Sequence, residues 1–118
     1  MTLDEFFNGQ EEARHLFEVV QREVNTIGHA ELRVTKSQVA FRHRNNFAMV
    51  WRPGQYLRGR VAPLVLTILL RYRDDSLRWK EIVEPVPGHF THHLELHTDA
   101  DIDGEVVDWL RVAWVSAG

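Results

Sequence analysis

Residues 61–72 read VAPLVLTILLRY, and the placement of this run decides the fold. Its apolar part, residues 61–70, is too short for a transmembrane helix, which takes about 20 residues. It is rich in β-branched and aliphatic side chains at both parities, the pattern of a strand covered on its two faces. Residues 61–72 are therefore expected to form the central strand of a sheet.

Shorter segments with an alternating pattern lie on either side. Upstream, Leu32 and Val34 fit one strand, and Val39 and Phe41 share a face in the next. Asn45-Asn46 makes a turn, because asparagine tolerates positive φ. Phe47, Met49 and Trp51 continue as the paired strand, which Arg52-Pro-Gly54 ends. Residues 55–60, QYLRGR, read as an exposed loop. Downstream, Asp74-Asp75-Ser76 turns the chain and residues 79–83 suit an edge strand closed by Pro85-Val-Pro-Gly88. Residues 90–98 alternate once more.

Helical spacing appears only toward the two ends. Thr2 and Glu5 form the pattern of a capping box, and Asn8-Gly-Gln-Glu11 repeats it. Ala13, Leu16, Phe17, Val20, Val24 and Ile27 then fall on one helical face, with Gly28 expected as a left-handed stop. From Asp101 to Ala117, the residues Ile102, Val106, Trp109, Leu110, Ala113 and Trp114 make a second stripe. Asp101 and Asp103 are expected in its first turn, where negative charge suits the helix dipole. Consecutive strands between two helices predict an α+β fold: an antiparallel sheet of about five to six strands, with both helices packed on one face. The 118 residues suggest a single domain over 1–118, long enough to need no disulfide or metal staple.

With no cysteine, disulfides, thiolate zinc sites and cysteine nucleophiles are excluded. The opening MTLDEFFNGQ is acidic and lacks the basic-then-apolar pattern of a secretory leader. The expectation is a soluble, cytoplasmic protein with no membrane partner.

Charge is distributed unevenly. Residues 1–31 carry seven acids and two bases, and residues 74–118 carry ten acids and three bases. Between them, Leu32 to Arg73 contains nine bases and no acid, within a net charge of −3. Such a block either pairs with the acidic ends of its own chain or meets an external anion. Arg42 and Arg44 share strand parity, as do Arg71 and Arg73, and Lys36 sits at a nearby turn. With His92, these residues are the expected anion-binding set. Guanidinium forks suit phosphates and carboxylates. A pI near 6.1 disfavours nucleic acid, so the expected partner is a small anionic ligand or an acidic protein surface.

Residues 89–97, HFTHHLELH, hold the densest run of histidines. In a strand, Phe90, His92, Leu94 and Leu96 face the core, and His93, Glu95 and His97 share the other face. His93 and Glu95 would stand about 7 Å apart and His93 and His97 about 13 Å, which disfavours one shared ion. The pattern is not HExxH. His92, at the margin of the core, is the one candidate for acid–base work. An enzyme or metal-handling protein using this strand is the alternative reading. Ser37, Ser76 and Ser116 lack a nucleophile elbow and no glycine-rich phosphate loop is present, so no catalytic residue, metal site or cofactor is assigned.

Lys36-Ser-Gln-Val-Ala-Phe41, Phe47-Ala48, Thr91-His92 leading to Leu94 and Leu96, Asp103, and Trp109-Leu-Arg-Val-Ala-Trp114 together resemble a bacterial family, domain of unknown function 5655. The opening Phe6-Phe7-Asn8-Gly9 fits as well. The resemblance covers nearly the whole chain. It implies a compact α+β domain, alone or fused to others, and transfers no catalytic residue. The family often has tyrosine in place of Trp114 and a basic residue in place of His93.

Overall fold

The structure is a computed structural model describing residues 1–118. A short helix α1 (Leu3–Phe6) and a long helix α2 (Glu11–Ile27) precede six strands: β1 (Glu31–Val34), β2 (Val39–Arg42), β3 (Asn46–Trp51), β4 (Leu64–Leu70), β5 (Glu81–Val86) and β6 (His89–Leu96). Helix α3 (Gly104–Ser116) ends the fold. The strands form one antiparallel sheet in the order β1-β2-β3-β4-β6-β5. The chain crosses from β4 to the far edge and returns as β6 between the two. No helix is long and apolar enough to cross a membrane.

β4 occupies the centre of the sheet, and the pairing around it explains its two-sided apolar sequence. Leu64, Leu66, Ile68 and Leu70 face the helices, while Val65 and Thr67 are also buried, on the opposite face. Pro63 lacks an amide donor, and the strand begins only after it.

The helices cover one face, as expected. α3 packs on β3 and β4, and α2 packs on α3 and β4. Five apolar side chains of α2 are buried: Ala13, Leu16, Phe17, Val20 and Val24. Aromatic rings link helix to sheet, with Phe17 stacked on Phe41 at 5.8 Å between ring centroids and Phe41 tilted against Phe47 at 6.3 Å.

Local chemistry departs from expectation at five places. The capping box of Thr2 and Glu5 forms, but Asn8 caps nothing: Gly9 takes a left-handed turn (φ 71°) and α2 starts two residues later, behind Gln10. Gly28 is extended rather than left-handed (φ 173°). Its requirement is space, because an added Cβ would lie 2.8 Å from Cε2 of Trp114. Asp103 lies before α3 as its N-cap, accepting from the Val106 amide at 3.2 Å. A 3-10 turn, Asp99–Asp101, takes up the start of the expected helix.

The fourth departure is a bulge between Phe41 and Arg42 in the pairing of β2 with β3. It turns Phe47 inward with Ala48 and Val50 and leaves Met49 and Trp51 on the face without helices. Phe47, Met49 and Trp51 therefore do not share a face. A second bulge interrupts the pairing of β5 with β6, between Val83 and Val86. Pro85 lies within it, so the proline expected to close the edge strand sits inside that strand.

Candidate ligand-binding site

The face without helices runs from Arg33 and Ala40 through Met49, Trp51, Val65 and Thr67 to Thr91, His93 and Glu95. Of the acid-free block, Arg33 lies on this face and Arg60, from the loop after β3, borders it. The protein's ion pairs join Arg14 to Asp4, Arg78 to Asp103 and Glu105, Lys80 to Glu95, and Arg111 to Asp108, and the His15 ring is hydrogen-bonded to Asp99. None involves a base between Leu32 and Arg73, so all nine stand without a carboxylate within 4.0 Å. Arg42 lies across from Glu31 in the β1–β2 pairing and still makes no such contact. Arg52 is held differently, with its guanidinium 5.5 Å from the centre of the Phe6 ring.

The five bases of the expected set do not form one surface. Arg42 and Arg44 lie at and beyond the end of β2. Arg71 lines a hollow of about 470 Å³ at the same end of the sheet, with Asn45, Asn46, His89 and Ser116. Lys36 is in the β1–β2 turn at the opposite end, beyond the roughly 10 Å length of β2. Arg73 borders a separate hollow that also contains Asp74, Asp75 and Glu81.

The β2–β3 turn has a second attachment. The amides of Arg44 and Asn45 donate to the Ala117 carbonyl at 3.0 and 2.9 Å. His43 Nδ1–H donates to the Trp114 carbonyl at 2.8 Å, and the two rings stack at 3.8 Å. The turn thus caps the C-terminal end of α3, where orphan carbonyls and the helix dipole favour positive charge.

His92 belongs to the core and not to an anion-binding surface. It is fully buried beside Trp79, with ring centroids 4.8 Å apart. Its Nε2 accepts from the Asp74 amide at 3.0 Å, so the proton is on Nδ1, which donates to the Phe90 carbonyl at 3.1 Å. Both nitrogens are occupied. Burial is the largest influence on its pKa and pushes it below the usual histidine value, against the pull of the Phe90 carbonyl and Asp74. Asp74 in turn accepts from the indoles of Trp79 and Trp109 at 2.8 and 3.3 Å.

His93, one residue on, lies on the helix-free face. Its Nδ1 is 2.7 Å from Thr67 Oγ1, which accepts from the Trp51 indole at 3.0 Å. The direction of this chain follows from counting protons. Indole N–H can only donate. Were the imidazole also to donate, the hydroxyl proton of Thr67 would have no acceptor at a site only 1% exposed, a cost of about 1–3 kcal/mol. Thr67 therefore donates to Nδ1, and the neutral ring carries its proton on Nε2, which has no protein partner. Burial lowers the His93 pKa, with Glu81 acting in the opposite sense.

Glu95 shares the face with His93 and pairs with Lys80 at 3.7 Å. No group of three or more His, Asp or Glu side chains is placed to hold a metal ion. Thr67 was not singled out from the sequence; the signal was a lone hydroxyl at outward parity in an apolar strand.

Helices on one face of an antiparallel sheet, with a basic segment that makes no ion pair, define a compact α+β domain with one sheet face free of helices. The chain belongs to the family described as Domain of unknown function (DUF5655), whose sequence pattern matches residues 3–117. No curated protein and no solved structure matches it.

Proposed function

We infer that this domain is a non-enzymatic binding module for a small anionic ligand or an acidic protein surface. The observation carrying this reading is that nine bases between Leu32 and Arg73 have no carboxylate within 4.0 Å, although the flanking segments contain seventeen acids. Positive charges left without carboxylate partners set up a field that draws anions in. Arg42, Arg44 and Arg71, at the end of the sheet beside Asn45 and Asn46, are the residues assigned to contact. Lys36 and Arg73 lie apart from them and contribute at long range.

The test is the Arg42→Gln/Arg44→Gln double variant, with Arg71→Gln alongside. These are surface positions, and the turn is tied to α3 by its backbone and His43. Each replacement should change stability by no more than about 0.5 kcal/mol. Thermal shifts by phosphate, nucleotides and carboxylates should be salt-sensitive in the natural sequence and lost in the variants. Marked unfolding of the double variant at lower denaturant, or anion shifts equal to those of the natural sequence, overturns the reading.

A further inference from the structure

A cavity of about 440 Å³ opens on the helix-free face, away from the Arg42–Arg71 end. Trp51, Val65 and His93 line its sheet side, and the loop after β3 contributes Leu57, Arg60 and Val61. Its size falls within the range of small-molecule sites, and its lining combines these apolar side chains with Arg60, Lys80, Glu81, His93 and Glu95. Leu57 and Tyr56 remain 57% and 61% exposed on that loop, so large apolar side chains stand at its mouth with nothing covering them. The Trp51 and His93 rings meet edge to face at 5.9 Å.

The polar groups narrow the class of occupant. His93 offers Nε2–H, an uncharged donor fixed by the Thr67–Trp51 chain. Lys80 and Glu95 offset each other at 3.7 Å. Arg60 has no carboxylate partner, and Glu81 is the remaining anion, exposed on the edge strand opposite His93. Two spare donor groups and an apolar wall call for a ligand with an apolar body and an acceptor group.

We propose that this cavity binds a small planar carboxylate, its ring against Trp51 and Val65 and its oxygens taken by Arg60 and the Nε2–H of His93. Thr67 is a positioning residue that sets the imidazole tautomer. The proposal goes beyond the anion-binding reading: its charge comes from Arg60, and it assigns a separate site and a ligand class.

The experiment titrates benzoate, benzamide and benzylamine into the isotope-labelled protein, following the Trp51 indole and His93 ring signals by NMR. Benzoate should shift both, and its affinity should fall about tenfold in Arg60→Gln, as loss of one charged hydrogen bond implies. The substitution lies on an exposed loop and should leave the fold intact. Long-range proton–nitrogen spectra should show His93 protonated on Nε2, and Thr67→Val should mix the tautomers and weaken benzoate binding. Binding of benzylamine in preference to benzoate, binding of benzamide alone, a His93 proton on Nδ1, or no shift at Trp51 each overturns the proposal. The Arg42→Gln/Arg44→Gln protein separates the two readings. If it still binds benzoate while the natural sequence shows no salt-sensitive phosphate shift, the surface reading fails and the cavity stands. If phosphate shifts persist in the natural sequence and benzoate moves nothing, the cavity fails alone.

Discussion

Adjacent histidines on β6 have opposite surroundings. His92 turns into the core, where two backbone groups saturate its ring, and His93 turns outward onto Thr67. Both have pKa values lowered chiefly by burial, from an ordinary value of 6.5. The unfolded chain therefore takes up protons first as pH falls. The stability linked to neutral histidine is complete above about pH 6.5 and is lost as pH drops through and below that value, by at most about 1.4 kcal/mol per pH unit for His92. Urea midpoints should accordingly fall between pH 7 and pH 5.5. His92→Phe, which cannot be protonated, should flatten part of that slope even though it leaves the Asp74 amide without an acceptor. An equal slope in the variant would show that His92 does not titrate in this window. The inward parity of His92 was readable from Leu94 and Leu96. Its saturation was not, because the Asp74 amide is brought to it by a turn eighteen residues away in sequence.

The elements differ in how far sequence pattern alone located them. α2 has an uninterrupted stripe, so its buried face followed from spacing, and Phe17 sits at its centre at 1% exposure. Phe17→Ala should destabilise the protein by about 3–5 kcal/mol through lost burial and an unfilled cavity. Equilibrium denaturation showing no change would mean the helix packs by another face. In β3, alternation misleads, because the Phe41–Arg42 bulge shifts the pairing by one residue and brings Phe47 to the core beside Ala48. Bulges depend on the partner strand, and a single strand's pattern does not encode them. Helix starts moved for a similar reason. Asn8 has the right chemistry for a cap, but the turn at Gly9 places Gln10 at that position.

For the molecule as a whole, the charge partition along the chain survives folding. Both helices direct apolar stripes at the sheet, so acids such as Glu18 on α2 and Asp108 on α3 lie exposed rather than against the central bases. That much was legible from residue order. Which bases gather was not, since Lys36 and Arg42 are near in sequence and at opposite ends of β2. The cavity near Trp51 was less legible still, because it takes a loop and four strands to build it.

The proline in β5 has a consequence for behaviour at high concentration. An antiparallel sheet that does not close has two free margins, and each can recruit the same margin of another copy into a growing fibril. One margin here, β1, is only four residues long and carries Glu31 and Arg33. The other, β5, is six residues long and exposes Val83 and Val86. There Pro85 removes an amide donor within a bulge, and Glu81 and Glu84 repel a like neighbour. Pro85→Val would restore the donor and lengthen the flat apolar margin. Such a protein should scatter light and bind thioflavin T after warming at concentrations where the natural sequence stays clear, and equal lag times for the two would show that this margin is protected by something other than its proline.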